Sequence, residues 1–514
     1  MCGLLFTNNP DIDKNKFLSA LNLMEHRGPD SAGCYDECQQ FKFGHNRLKI
    51  LDLDNRSNQP YWSHNQRYIM VYNGEIYNFK ELAVRYQVNT ETTSDTEVLL
   101  ELYVQLGSKM LKELNGMFAL VIYDTKTREL FIARDRLGIK PLYVCQKNDV
   151  ISVSSEIAAL LELTGKTVLD EVGLRQYRKL RTFFNGRTLY AGIEMFPAGF
   201  YQLNDRRTQY WELPLVEESA SVSDEELYEL LVSSVNYRCL SDVSVGSYLS
   251  GGVDSTIIAA LAAKPYTWTV GFKNYNEFDW GELAAQHIQS THQEVIITHE
   301  EFLSTGRQMI KKRKEPLSVP NEVLLYKMTK SVKEQNTVIL SGEGADELFF
   351  GYDRIFRWAA REQWDLEKFS QLYAYGSNDD LEIIEDALSP FKKYGKPIAV
   401  VAAFFQVAHL HGLLRRLDNS TMLCSVEARV PFVDHRLIER MAGISFEFRM
   451  ANGIAKAPLK RVFEKFLPDE IIKRKKVGFL VPLADIFKDK IDNLPNYSPM
   501  DAWLGFNMDE LGCF

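Results

Sequence analysis

Hydrophobic and polar positions divide the chain into two textures. In the first part, short β-like runs recur: "MCGLLF", "FKFGHNRLKILDL", "YIMVYNGEIYN", "MFALVIYD", "ELFIARD", "PLYVC" and "DVISVSS". Helical periodicity interrupts them at "NKFLSALNLMEHRG" and "SDTEVLLELYVQLG". Many strands and few helices predict sheets packed on one another, with helices outside. The texture changes in the polar stretch "NDRRTQYWELPLVEESASVSDEE", which places a domain boundary at about Leu213 to Ser223. Beyond it strands and helices alternate: helix "DEELYELLVSSVNYRCL", strand "VSVGSYL", strand "YTWTVGF", helix "WGELAAQHIQS", strand "QEVIIT", helix "EVLLYKMTKSVKEQ" and strand "TVILSG". That alternation predicts a parallel sheet with crossover helices, whose ligands sit at the carboxyl ends of the strands. From about Gly351 onward the pattern is mostly helical.

The longest apolar stretch, "PIAVVAAFFQVAHLHGLL", is interrupted by Gln406 and two histidines and predicts a buried helix, not a membrane span. The chain has 514 residues, enough for two to four domains at about 150 residues each. A net charge of −9 makes nonspecific binding to nucleic acid or to a membrane surface a poor expectation. Any bound anion must be held locally, by cations, backbone N–H groups or metal. The seven cysteines are odd in number and scattered, which fits reduced thiols in a cytoplasmic protein better than a disulfide framework. Cys34 and Cys38 are spaced like half a metal site, but no second pair follows.

Two loops fall at strand ends, "SGGVDST" and "SGEGADE". The first joins a strand to a helix N-terminus, where unpaired N–H groups and the helix dipole favour anions. Gly251 and Gly252 let backbone approach a ligand, and Ser250, Ser255 and Thr256 add hydroxyls. Together they form a cradle for phosphate. Asp254 is out of place beside a phosphate unless a cation lies between them, which points to Mg²⁺. The lysine of a Walker loop is missing.

At the other end, removal of Met1 would leave Cys2 with a thiol and a free α-amino group in one residue. An α-amino pKa of about 7.7–8.0 suits a base that takes the thiol proton and returns it to departing ammonia.

The "SGGVDS" loop resembles the pyrophosphate loop of ATP pyrophosphatases. "SGEGADE" and "SVEARVPFVD" (Ser425 to Asp434) narrow the resemblance to glutamine-hydrolysing asparagine synthetases. "MCG", "HRGPDS", "GHNRLKILD", "YNGEIYN" and "SDTEVLL" resemble, in order, the glutaminase domain of class II amidotransferases. The resemblance implies an N-terminal-nucleophile αββα sandwich over residues 2–212, and then an α/β adenylating domain with a parallel sheet and a helical C-terminal part over residues 224–490. Residues 491–514 are expected as a tail.

It also implies roles. Cys2 is the nucleophile, with Asn73 and Gly74 as oxyanion hole. Arg47 grips the glutamine carboxylate, Glu75 and Asp95 hold its ammonium group, and Leu51 and Asn73 also contact glutamine. Leu249, Val270, Ser341 and Gly342 surround adenine. Ser250, Gly251, Gly252, Asp254 and Ser255 cradle pyrophosphate, and Asp254 and Asp346 hold Mg²⁺. Glu343 accepts a proton from attacking ammonia. Lys456, with Lys460 as rival, neutralises departing pyrophosphate, and "RKKVGF" (Arg474 to Phe479) lies near the triphosphate. ATP and Mg²⁺ are the expected cofactors, small molecules the expected partners, and a homodimer what the family suggests.

The expected reaction moves ammonia from glutamine, through a dry channel, onto a carboxylate activated by ATP, most simply L-aspartate. Phe350, where relatives have glycine, and Asn58, where they have histidine, keep another carboxylate such as a uronic acid open, with Phe350 as a possible platform for a sugar ring. "NEVLLYK" shows no clear pair of aspartate-binding side chains. A noncatalytic relative would have lost Cys2 or the phosphate loop, and a cyclising synthetase would lack Cys2; both features are intact.

Overall fold

The computed structural model describes residues 2–36, 41–215, 221–376, 379–475, 478, 480–493 and 497–512. Cys38, part of the expected domain boundary, and Lys476, Val477 and Phe479 of the basic segment lie outside these residues.

Two six-stranded antiparallel sheets form the first domain. One centres on strands Gly3–Thr7 and Lys42–Arg47, the other on Tyr68–Ile76 and Gly116–Asp124. The period-2 alternation of a strand explains the layering. Leu4 and Phe6 point between the sheets, to meet Ile69, Val71, Val121 and Ile132. Leu5 points the other way, onto Phe17 and Leu21 of helix Lys14–Asn22 and Leu163 of helix Ile157–Thr164. On the second sheet Met70 and Tyr72 turn outward, to Leu99 and Leu102 of helix Asp95–Leu106. Each such aliphatic or aromatic side chain stabilises the fold by about 1.5–3 kcal/mol when fully buried. The result is an αββα sandwich, as expected.

The second domain carries a five-stranded parallel sheet in the order Thr291–Ile296, Tyr266–Gly271, Val245–Tyr248, Val338–Leu340, Glu427–Arg429. Strands Val245–Tyr248 and Val338–Leu340 are direct neighbours, with Ser247 opposite Leu340. Their pairing brings the two motif loops side by side. The edge strand Glu427–Arg429 was not anticipated in a region that reads as helical; three residues are too few to show an alternation.

The long apolar segment is helical over Pro397–Met422 and contains a π turn at Phe405–His409. It is long and apolar enough to cross a membrane, yet 56% of its most apolar window is buried inside the fold, where Phe404 and Phe405 pack on Tyr373, Phe369 and Tyr352. The stretch expected as a tail contains helix Pro499–Leu511, started by a Ser498–Asp501 capping box. It docks by burying Trp503 beside Phe302, and Asn507 accepts the Leu317 N–H at 2.8 Å.

Candidate active sites

Cys2 leads directly into the first strand and is 7% exposed. Its backbone N–H donates to Asn73 Oδ1 at 2.9 Å. That bond orients the Asn73 amide, whose Nδ2 is buried with no hydrogen-bond partner among the described residues. A buried donor left unpaired is what an oxyanion hole needs before its ligand arrives. "NGE" alone suggests a hairpin turn, but the structure places it inside strand Tyr68–Ile76, with Asn73, Gly74 and Glu75 opposite Ala119, Phe118 and Met117. Only glycine fits at position 74, since a Cβ there would lie 2.1 Å from the Met117 carbonyl oxygen.

Burial raises the Cys2 thiol pKa, with the amino terminus, a hydrogen bond from the Leu48 backbone and Arg47 working against it. The thiol therefore needs a base to become a thiolate. His45, fully buried, has its pKa pushed down to about 3 by that burial and is neutral. No hydrogen bond links a histidine to Cys2 among the described residues.

Arg47 is buried, and its guanidinium is held by neutral acceptors: the carbonyls of Leu51 (3.1 Å), Asp52 (2.5 Å) and Asp54 (2.7 Å) and the Asn58 side chain (2.9 Å). No carboxylate lies within ion-pair distance of it among the described residues, so its charge remains available to a ligand. Asn58, the departure from the family pattern, thus orients this arginine.

Glu75 and Asp95 lie close enough for their charges to repel. Asp95, in the first turn of a helix capped by Ser94, accepts the Ile76 N–H and the Tyr72 hydroxyl, each at 2.8 Å. Burial raises the pKa of both carboxyls, and Asp95 and Glu427 push Glu75 further up. A cationic ligand would relieve the crowding.

Arg27 ties this site to the second domain. Its Nε donates to the Cys2 carbonyl at 3.0 Å, and its Nη groups pair with Glu156 (3.2 Å) and with Asp418 of helix Leu410–Met422 (2.9 Å). Lys140 reaches the same Asp418 at 3.6 Å. Asn115 donates to Asp434 at 3.2 Å across the domain boundary, so the "SVEARVPFVD" motif serves the interface.

At the second site, Gly251 has φ +68°, and a Cβ there would strike the Trp280 carbonyl oxygen at 2.2 Å. Ser255 Oγ accepts the Ser250 N–H at 3.2 Å, which closes the loop onto helix Val253–Ala262. Gly342 lies against it, where a Cβ would come within 3.0 Å of the Ser255 nitrogen. Leu249 and Val270 are buried beside it, and Ser341 is 7% exposed.

Lys456 Nζ pairs with Asp254 and, at 2.6 Å, with Asp346. Burial works against its charge, but the two carboxylates outweigh it and raise its pKa. Lys460, the rival, makes no such pair among the described residues. Gly351 is required where these groups meet, since a Cβ would fall 1.7 Å from Asp346 Oδ1.

Glu343 is paired with Arg416 at 3.0 Å, both partly exposed. Arg474, the first residue of the basic segment, donates to the Ser250 carbonyl at 3.0 Å and stacks on Trp280. Phe350 is core. It is 1% exposed, adopts φ +57° and stacks between Phe356 at 4.1 Å and the Arg449 guanidinium at 4.4 Å. In "NEVLLYK", Glu322 is consumed by Arg313 at 2.8 Å and by backbone N–H groups.

Sequence reasoning did not find Arg27, Lys140, Arg416, Asp418, Glu427 or Arg429. All are charged and buried or largely so, and apart from the Glu427–Arg429 pair their partners lie far away in the chain, so no local spacing announces them.

Comparisons with known proteins agree with this division. The family model for asparagine synthase matches residues 226–494, and that for a glutamine amidotransferase domain matches residues 1–211. Asparagine synthetase [glutamine-hydrolyzing] 1 of Bacillus subtilis is 29% identical, covering 98% of this chain and 91% of its own length. A putative asparagine synthetase of Mycobacterium tuberculosis is 30% identical, covering 90% of this chain and 83% of its own length. Asparagine synthetase B of Escherichia coli is 29% identical, covering 91% of this chain and 79% of its own length.

Proposed function

The chain belongs to the asparagine synthase family and is an ATP-dependent, glutamine-hydrolysing carbon–nitrogen ligase; from that premise we propose that its acceptor is L-aspartate and its product L-asparagine, with glutamate, AMP and pyrophosphate released. The Cys2 thiol gives its proton to the α-amine and attacks the side-chain carbonyl of glutamine. The Asn73 Nδ2 and the Gly74 N–H take the oxyanion. The C–N bond breaks, ammonia leaves with the returned proton, and water hydrolyses the thioester to glutamate. Arg47, beside Leu51, attracts the α-carboxylate by its charge, and its Nη bonds to Leu51, Asp52, Asp54 and Asn58 must be partly exchanged for a bidentate grip on the ligand. Glu75 and Asp95 hold the α-ammonium.

Ammonia is protonated, and useless as a nucleophile, in water near neutral pH. The buried boundary around Arg27, Lys140 and Asp418 separates Cys2 from Arg416 and Glu343, and we take it as the wall of a dry passage.

In the second domain Leu249, Val270, Ser341 and Gly342 take adenine, and Ser250, Gly251, Gly252 and Ser255 cradle the pyrophosphate. The acceptor carboxylate attacks the α-phosphorus and pyrophosphate leaves. Ammonia then attacks the acyl adenylate, AMP leaves, and Glu343 takes the proton. Lys456 neutralises the leaving pyrophosphate. Asp254 and Asp346 fit Mg²⁺, because both converge on one ammonium group and Mg²⁺ is held by one or two carboxylates plus substrate phosphates. Bound there, the ion would neutralise phosphate charge. The setting is cytoplasmic, where reduced thiols persist.

The observation that carries the acceptor is the Glu343–Arg416 pair. It places both signs of charge at the loop, suited to a small acceptor with a second carboxylate and an ammonium group. The motive for a sugar acid weakens, since Phe350 is buried and offers no face to a ring. Trapping the adenylated acceptor without ammonia tests the assignment. Mass spectrometry should show aspartyl adenylate; an adenylated uronic acid and no aspartyl adenylate would overturn it.

A further inference from the structure

We propose that Arg429, which belongs to the synthetase domain, is a positioning residue for the glutamine site, holding the Glu75 carboxylate in place for the substrate's ammonium group. Its side chain is fully buried. Its Nε pairs with Glu427 at 2.6 Å, and Nη1 donates to the carbonyls of Arg238 at 2.9 Å and Leu240 at 2.6 Å. These bonds lock the guanidinium within its own domain. The remaining nitrogen, Nη2, has no hydrogen-bond partner among the described residues and stands 3.6 Å from Glu75 Oε1, across the domain boundary. An arginine anchored on two sides, with its last donors aimed at one carboxylate, is set to steer that carboxylate.

The backbone of Arg429 faces the other way. Its carbonyl accepts the N–H of Ser341 at 2.9 Å, and Arg429 lies opposite Leu340 in the parallel ladder. One residue therefore touches the glutamine pocket with its side chain and the "SGEGADE" loop with its main chain. The glutamine site is incomplete until the second domain is docked.

The charge balance explains why such help is needed. Glu75 is faced by Asp95 from the helix, by Glu427 and Arg429 from the edge strand, by the amino terminus, and by the phenols of Tyr72 and Tyr77. Burial and the two neighbouring carboxylates favour its neutral form, while Arg429 and the amino terminus oppose that. A neutral carboxyl does not hold an ammonium. Without Arg429, Glu75 would ionise at a higher pH than it does beside Arg429, and the pH above which glutamine binds would move up with it.

The inference rests on the reading that glutamine binds with its ammonium at Glu75 and Asp95. The test uses the full chain and follows glutamate formation from pH 6 to 9 in wild type, Arg429→Lys and Arg429→Met. In Arg429→Met the glutamine KM at neutral pH should rise about tenfold or more, as loss of one close charge implies, and recover as pH rises, with kcat nearly unchanged. Arg429→Lys should restore part of the affinity. A glutamine KM in Arg429→Met equal to wild type, or raised equally at every pH, would overturn the proposal. Ammonium-driven synthesis reports whether each variant is folded. Should Arg429→Met not fold, the Arg429→Lys and Glu75→Gln double-mutant cycle decides: non-additive KM effects support the proposal and additive ones overturn it. If Glu75→Gln itself leaves KM unchanged, the glutamine pocket is misplaced and both readings fall. If Glu75→Gln raises KM and Arg429→Met does not, only the role of Arg429 falls.

Discussion

The two sites solve the problem of holding a charged ligand in different ways. On the glutamine side the proposed groups are fixed by regular structure: Asn73, Gly74 and Glu75 inside a nine-residue strand, Asp95 in the first turn of a helix, Arg47 at a strand end gripped by three carbonyls and Asn58. On the ATP side Ser250 to Gly252 and Ser341 to Glu343 are loops after short strands, and the carboxylates Asp254 and Asp346, in the first turns of the helices that follow, Val253–Ala262 and Ala345–Leu348, meet on Lys456. The first site resembles a preformed mould. In the second, ion pairs that fix its shape must give way when phosphate arrives. Burial follows the same division, since Asn73 is fully buried while the side chains of Asp254 and Asp346 are each 21% exposed.

The sharpest way to separate the two sites is Cys2→Ala. Glutamine-driven product should fall by about 10⁴-fold or more, because the nucleophile is lost. Ammonium-driven product should survive, since among the described residues the thiol makes no hydrogen bond to the second domain. If ammonium-driven synthesis also vanished in a folded variant, the division of labour would be wrong. The converse is Asp254→Asn. Acceptor-dependent pyrophosphate release should drop by about 10²–10³-fold, the scale for losing one preorganised electrostatic group. Basal glutamine hydrolysis should persist. A full synthetase rate at limiting Mg²⁺ would remove Asp254 from the metal site.

A smaller loss tests the preformed mould. Asn73→Ala removes the unpaired Nδ2 together with the Oδ1 that orients the chain start. Glutaminase kcat should fall by up to about 10²-fold with little change in glutamine KM, because the donor acts on the oxyanion and not on the bound amide. A rise in KM alone would show that Asn73 binds ground-state glutamine instead.

The same contrast explains what was legible beforehand. The phosphate loop was readable because its chemistry is local: glycines, hydroxyls and an aspartate within a few residues, between a strand and a helix. Asn73 and Gly74 were readable only through resemblance, since "NGE" in isolation looks like a turn. The runs "YIMVYNGEIYN" and "MFALVIYD" both read as β; what no local pattern reveals is that they pair, with Gly116–Asp124 lying along Tyr68–Ile76 and holding "NGE" inside the strand. Phe350 was ambiguous for a related reason: a residue with positive φ and a buried ring can be placed only once Phe356 and Arg449 are seen on its two faces. The edge strand Glu427–Arg429 escaped altogether. It is short, it follows a long helix, and its two charged side chains are fully buried because they face each other and the other domain.

The smallest expected effect concerns stability and turns on sign. Glu156 and Glu427, at the domain boundary, have pKa values pulled down to about 2: burial opposes this, but His26 and Arg27 stabilise the one, and the amino terminus, Arg429 and Lys140 the other. Both therefore add stability above the ordinary carboxyl pKa and lose it as pH falls toward 2. Glu347, on the ATP side, is the reverse case. Burial, then Asp346 and Glu343, push it up to about 8, against the pull of a hydrogen bond from the Tyr352 hydroxyl at 2.7 Å. The folded state keeps this proton where the unfolded chain has already lost it. Stability is thus complete below the unfolded pKa and drains away as pH rises through about 8. Glu347→Gln keeps an acceptor for Tyr352 but cannot ionise. Its melting temperature relative to wild type should climb between pH 5 and pH 9, by a few degrees, as a difference on the order of a few kcal/mol implies for a chain of this size. A difference that stayed flat over that range would mean that Glu347 is already ionised near neutral pH, and that the loop around Lys456 carries three anions where the geometry argues for two.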